Sequence, residues 1–313
     1  MITVERYTPA MRDQWNDAVE ASRNGTFLHR REYMDYHSDR FNDFSLVARS
    51  ATGNILALLP ADKSGTSLRS HAGLTYGGWL MLPKADMNAM LDIWTAARNV
   101  IQDSGIDNLI YKPVPHIFHR YPAEEDLYCL FRDGASIAST QVSSVIDLQN
   151  PMGFDQNARR ASVKAIRREL HVAESHDYAT FWQILCEVLA SRHNTLPVHT
   201  LAEISMLAGR FPENIRLYGV FDKGRMVAGS VVYITHTTVH AQYIASDDIG
   251  RQYGALALLF DNLATTFSDK VRYLDFGTSN EDGGRILNSG LIRQKCGFGA
   301  RAVAFNTYKI SWR

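Results

Sequence analysis

The sequence predicts a mixed α/β (α+β) chain of two domains, and three observations carry that prediction. The chain has 313 residues, 45% of them hydrophobic and 21% charged, which is ample material for a core and more length than one ordinary domain uses. Segments with apolar residues at helical spacing alternate with segments rich in β-branched and aromatic residues. The coarse order hairpin, helix, strand occurs once in each half, so two related domains are expected, 1–150 and 151–313.

The elements follow in order. After a polar opening, residues 11–21 read as a helix. Residues 44–60 read as a hairpin, FSLVARS and ILALLP joined by ATGN. Residues 85–103 place Met87, Met90, Leu91, Trp94, Ala97 and Ile101 on one helical face, and Ser104-Gly105 closes the run. A strand at 108–112, a proline-rich loop, a short helix at 124–131 and the strand TQVSSVIDL complete the first half. The second half opens on the basic helix NARRASVKAIRREL. Helices follow at 181–191 and 201–210, then three linked antiparallel strands, NIRLYGVF, MVAGSVVYIT and TTVHAQYIAS. A helix over 251–267, the strand VRYLDF, a Gly-rich turn, a helix near 287–295 and the strand AVAFNTYKIS end the chain.

Lys plus Arg and Asp plus Glu are 33 each. The zero sum excludes a global basic field for nucleic acid. Residues 1–150 hold 14 basic and 18 acidic side chains, or −4, which leaves 19 and 15, or +4, for 151–313. Cys129, Cys186 and Cys296 are odd in number and widely spread, against both a zinc motif and a disulfide framework. The opening MITVERYTPAMRDQW lacks an apolar signal core and no long apolar run occurs, so a cytoplasmic chain without membrane insertion is expected.

The second-half order, together with FDKGRMVAGSVVY, HAQYIASDDIGRQYGALALLFDNL, YLDFGTSNEDGGRILNSGLIRQKCGFGAR and RRASVKAIRREL, resembles the GNAT acyltransferase superfamily in its Fem-type branch. NGTFLHRREYMDYHSDRF and SHAGLTYGG are similar to members encoded among bacterial surface-polysaccharide genes. The resemblance implies two tandem GNAT-like domains, each a mixed, mostly antiparallel sheet flanked by helices. It implies acyl- or aminoacyl transfer to a cell-envelope sugar or a nucleotide- or lipid-linked precursor. The donor would be acyl-CoA or aminoacyl-tRNA. For acyl-CoA it assigns the loop Arg251, Gly254, Ala255; the pattern's last small residue is here Leu256, and Asp247 and Asp248 stand beside the loop, where they would repel a diphosphate.

Candidate residues follow from their chemistry. Arg159, Arg160, Lys164, Arg167 and Arg168 have no acid among them, and the first three are assigned to acceptor phosphates; a solvated helix face is the plain alternative. SHAGLTYGGW offers His71 for proton transfer and Tyr76 for a substrate hydroxyl beside glycines that leave room for a ligand, or else a turn whose aromatics fill the core. Lys112 lies in a segment dense in His116, His119 and Arg120 and is a further substrate contact. DFGTSNEDGGRILNSGL places Asp275 at a strand end and offers Glu281 as general base and Asn288 as a binding group, or plain turn and cap chemistry. Tyr243 is a third candidate for the proton. His236 and His240, four residues apart on a strand, are separated by roughly 13 Å and cannot share an ion, so no metal is expected. The alternatives are an acetyl-CoA-dependent N-acetyltransferase acting on a small amine and a non-catalytic GNAT-fold binding module.

Overall fold

The computed structural model describes residues 2–193 and 195–312. Its first elements are β1 (Thr3–Arg6), α1 (Arg12–Ala21), α2 (Arg31–Met34), β2 (Leu46–Arg49), β3 (Ile55–Leu59), β4 (Asp62–Ser64), β5 (Ser67–Arg69) and β6 (Leu80–Met81). They are followed by α3 (Met87–Asp103), β7 (Asn108–Tyr111), α4 (Glu125–Arg132), β8 (Ser136–Asp147), α5 (Gln156–Arg167), β9 (His171–Ser175), α6 (Tyr178–His193) and α7 (Leu201–Arg210). Then come β10 (Ile215–Asp222), β11 (Arg225–Ile234), β12 (Thr238–Ser246), α8 (Asp248–Tyr253), α9 (Ala255–Phe267) and β13 (Tyr273–Thr278). The last are β14 (Asn280–Glu281), β15 (Ile286–Leu287), α10 (Ser289–Gly297) and β16 (Arg301–Ser311). The chain divides into two compact units, Met1–Gln141 with Phe305–Arg313, and Val142–Ala304. It leaves the first unit inside β8 and re-enters it inside β16.

In the first unit β1, β2, β3 and β6 form an antiparallel sheet. The hairpin of β2 and β3 pairs Leu46 with Leu59 and Ala48 with Ala57, and both strands are buried along nearly their whole length. The polar opening contains β1, whose Thr3 pairs with Arg49; its mostly exposed side chains hide it from a hydrophobicity reading. A second group joins β4 to β5, β5 in parallel to β7, and β7 to β16. Helix α3 buries Met90, Ile93, Trp94, Ala97 and Ile101 against Leu46, Leu59, Trp79 and Tyr111. The Asp86 carboxylate accepts from the Ala89 N–H at 2.8 Å and caps the helix, a contribution of about 1 kcal/mol.

In the second unit the strand order is β8, β13, β12, β11, β10, β9. The meander β10, β11, β12 is antiparallel, as its turns imply, and β12 runs parallel to β13. Strand β9, which sequence reading missed, pairs antiparallel with β10. Helix α9 carries Leu259, Phe260, Leu263 and Phe267 into the core. Phe260, Phe276 and Phe298 stack with centroids 4.6 to 5.8 Å apart. Such ring pairs add about 1 kcal/mol each to their burial and tie α9 to β13 and to the end of α10. The expected single helix over 251–267 is instead α8 and α9, broken at Gly254 with φ +79°. The left-handed turn needs a glycine, and α5 leaves room for nothing larger, since a Cβ on Gly254 would lie 2.6 Å from the Ala161 carbonyl oxygen.

Candidate functional site

The strands β12 and β13 are hydrogen-bonded over three residue pairs only, Thr238 with Tyr273, Val239 with Leu274 and His240 with Asp275. Beyond this point β13 bends to pair Thr278 with Ser143 of β8. Strand β12 continues to Ser246 along β11 alone. One edge of β12 therefore leaves its backbone groups open to an extended ligand. A bulge at Gln242 adds to this, since Val231 opposes Tyr243 while Val232 opposes Ala241. Val239, Ala241 and Ile244 all pack in the α9 core; the extra residue turns Tyr243 to the other face, against Trp182 of α6 at 4.9 Å.

At the mouth of the splay stands a buried carboxylate. Leu274 and Phe276 point into the core, so alternation sends Asp275 to the opposite face. There its Oδ2 accepts from His240 Nδ1–H at 2.8 Å, and its Oδ1 accepts from the Ser143 hydroxyl and from Gly277 N–H at 2.9 Å. Burial works to raise the Asp275 carboxyl, but His240 and these donors outweigh it and hold the group below the usual carboxylate range. Ionised Asp275 fixes the proton of His240 on Nδ1 and leaves Nε2, the other ring nitrogen, as an acceptor. Gly277, at φ +71°, lies against the ring edge, where a Cβ would come 3.3 Å from Cε1.

Lys295 of α10 supports this corner. Its buried ammonium donates to the Gly277 and Thr278 carbonyls at 2.8 and 3.1 Å and to the Ser279 hydroxyl at 2.8 Å. All three protons are thus committed to the turn after β13. Burial brings its pKa down to about 8, against the opposing pull of Asp275.

Beside β12 a cleft of about 440 Å³ opens between α5, α8 and α10, with Ser246, Gly250, Arg251, Gly254, Leu256 and Arg293 among its walls. The predicted Arg251 and Gly254 line it, and Ala255 is fully buried behind them. The residues do not fit a CoA diphosphate at the start of α8. Asp247 already occupies that helix end, its carboxylate accepting from Gly250 N–H at 2.8 Å. Arg251 is held by the Asp248 carboxylate and the Ser246 carbonyl, and the space a Cβ would need at Gly254 is filled by α5. Helix α5 brings Lys164 to the same place, its ammonium 2.7 Å from the Gln252 carbonyl and near the Tyr253 ring. Arg159 donates to the Phe154 carbonyl at 2.6 Å, and Arg160 is exposed.

The other predicted residues are dispersed. The Tyr243 hydroxyl lies 2.5 Å from His199 Nδ1 and accepts from His199 N–H, and burial raises its pKa. Glu281 is exposed in the β14–β15 hairpin, where it accepts from Asn288 Nδ2 at 3.0 Å while Asn288 Oδ1 caps α10. His71, Tyr76 and Lys112 belong to the first unit. His71 stacks on His37 at 5.5 Å, and burial pushes its pKa down to about 3. Tyr76 packs on Phe118 at 4.5 Å. The room beside these glycines is taken by the chain itself, because a Cβ on Gly73 would meet His37 and one on Gly77 the Ser70 carbonyl. Lys112 is half-buried, and burial lowers its pKa. Sequence reading missed His240 as a partner of Asp275, and Lys295 altogether. Among the described residues no group of three or more His, Cys, Asp or Glu side chains is placed to hold a metal ion, and no helix is long and apolar enough to cross a membrane.

Residues 153–282 match the family described as an acetyltransferase (GNAT) domain. No curated protein matches the chain. Among solved structures the chain is similar to FemX, at 11% identity and a TM-score of 0.70, over 98% of this chain and 97% of that one. It is similar to L-PGS from Bacillus licheniformis, at 11% identity and a TM-score of 0.63, over 99% and 93%. A tandem GNAT protein from the clavulanic acid biosynthesis pathway matches at 13% identity and a TM-score of 0.52, over 100% and 99%. The likeness is one of fold, two GNAT-like domains in tandem, each a mixed and mostly antiparallel sheet flanked by helices.

Proposed function

We propose that this chain, a member of the GNAT superfamily with the Fem-type tandem arrangement, transfers an acyl or aminoacyl group to an amine or hydroxyl of a cell-envelope sugar or its nucleotide- or lipid-linked precursor. The observation that carries the reading is the Asp275-bound His240 at the point where β12 and β13 part. In this scheme the acceptor's nitrogen or oxygen forms a bond to the donor carbonyl carbon and gives its proton to His240 Nε2. The carbonyl oxygen, now negative, meets N–H groups on the open edge of β12. Collapse breaks the bond to the leaving oxygen or sulfur, which takes the proton back. Asp275 stabilises the imidazolium formed in between, as a buried carboxylate does for a histidine base.

The base therefore moves from Glu281, Tyr243 and His71 to His240. What supports the change is that Glu281 and Tyr243 already have hydrogen-bond partners within their own unit, and that His71 lies in a buried ring stack. Arg159, Arg160 and Lys164 are retained for acceptor phosphates, and Arg293, which lines the cleft, is added to them. Aminoacyl-tRNA is the favoured donor, because Asp247 and Asp248 stand where a diphosphate would lie. The second reading, an acetyl-CoA-dependent N-acetyltransferase, has room in the cleft beside β12 only if the diphosphate lies away from Asp247; micromolar binding of acetyl-CoA by calorimetry would support it.

The test is mass spectrometry of nucleotide-linked amino sugars after incubation with the chain and either charged tRNA or acyl-CoA. A mass gain equal to the acyl group, lost in His240→Gln, is expected. Transfer that proceeds equally fast in His240→Gln would move the chemistry away from the splay.

A further inference from the structure

Helix α5 is amphipathic in an inverted sense, burying small side chains and presenting large ones. Ala158, Ser162 and Ala165 are its buried residues, with Ser162 Oγ 3.3 Å from Asp261 of α9. At about 100° per residue the outward arc runs, in angular order, through Ile166, Arg159, Val163, Arg167, Arg160 and Lys164. One side of this arc carries Ile166 and Val163 with Arg159 between them. Ile166 is 57% and Val163 46% exposed, and both line a groove of about 650 Å³ with Leu148 and Phe154. Met152, 63% exposed, sits between Pro151 and Gly153, which line the same groove. The other edge is cationic. Arg168 pairs with Asp222 at 3.2 Å, but among the described residues Arg159, Arg160, Lys164 and Arg167 enter no ion pair.

Four cations without a counter-charge, bordering three exposed aliphatic side chains, match the two layers of a bilayer boundary, phosphate outside and acyl chain beneath. We propose that this face docks the chain peripherally on an anionic lipid bilayer, with Met152, Val163 and Ile166 entering the headgroup boundary and the four cations meeting lipid phosphates. The exposed aliphatic side chains favour a bilayer over RNA at this face, since RNA phosphates would meet the cations and leave Met152, Val163 and Ile166 in water. The proposal goes beyond acyl transfer; three of its cations are those proposed for acceptor phosphates, and Arg167, which is not among them, carries the test.

Sedimentation of the full chain with vesicles tests this, using equal parts of phosphatidylglycerol and phosphatidylcholine, phosphatidylcholine alone, and mixed tRNA as a competitor. Binding to the anionic vesicles about tenfold or more above the neutral ones is expected. Arg167→Ala should lower it about fivefold. The triple change Met152→Ser, Val163→Ser, Ile166→Ser should lower it further with every charge intact, and these exposed substitutions leave the fold, read by circular dichroism, unchanged. Equal binding to both vesicles, or to neither, overturns the proposal. So does a triple variant that binds like the parent chain, or tRNA that displaces the chain from vesicles at equimolar phosphate.

Discussion

His240 and Asp275 face each other in parallel register as the last pair before β12 and β13 separate, with Nδ1–H donating to Oδ2 at 2.8 Å. A base oriented in this way acts through its second nitrogen. Replacing His240 by Gln should lower kcat about a hundred- to ten-thousand-fold with little change in KM. Steady-state rates check this.

Asp275→Ala leaves the Ser143 hydroxyl and the Gly277 N–H without their acceptor in a buried site. The expected loss of stability is on the order of 3 kcal/mol, measured by urea unfolding. The depressed Asp275 pKa makes its own contribution, present above the ordinary value of 3.8 and lost as pH falls through the lower folded value. The variant should therefore show a weaker acid destabilisation than the parent.

Lys295 gives a slope of the same sign at high pH. Between about 8 and the ordinary 10.5 the folded chain holds it neutral while the unfolded chain binds the proton, so stability rises with pH across that window. Lys295→Met removes the rise, and thermal unfolding at several alkaline pH values would show the flattened curve.

In the first unit, Asp126 is buried against the Tyr111 hydroxyl, and burial raises its pKa from 3.8 to about 7. Over that interval the folded chain keeps a proton that the unfolded chain has lost. Stability therefore falls as pH rises from 3.8 to about 7 and levels off above it. In Asp126→Asn that fall should be absent from the plot of Tm against pH.

Two glycines with nearly the same φ separate conformation from crowding. Gly224 has φ +83° and no atom within 4 Å of where a Cβ would stand, whereas Gly254 has φ +79° and the Ala161 carbonyl oxygen at 2.6 Å. Gly224→Ala should cost about 1 kcal/mol. Gly254→Ala should cost about 3 kcal/mol or more, because α5 must also retreat from α9. Urea unfolding of the two variants side by side measures the difference.

Where local chemistry determines an element, the sequence is enough. Helix α7 is bounded by Thr200, whose hydroxyl caps Glu203 N–H while Glu203 returns to Thr200 N–H, and both its ends are where the sequence predicts them. The three-strand meander carries its own turns and is equally legible. Strand β9 is not, because its HVAES is short, half-exposed and held only by pairing with β10. The site divides in the same way. Asp275 can be placed at a strand end, but its partner His240 lies 35 positions away. Their meeting depends on the register of two parallel strands, which no local pattern encodes. The glycines of SHAGLTYGGW suggest room for a ligand, yet only the packed chain shows His37 and Ser70 already there.

The return of β16 to the first unit has a consequence for biosynthesis. Tyr308 and Ile310 pair with Tyr111 and Leu109, and Ile310 is part of the first unit's core. Those residues are translated after the whole of Val142–Ala304. On the ribosome the first-made unit must therefore wait, missing one strand, while the second is synthesised. During elongation the exposed flank of β7 is an unpaired strand edge, the kind of surface to which chaperones and aggregating neighbours bind.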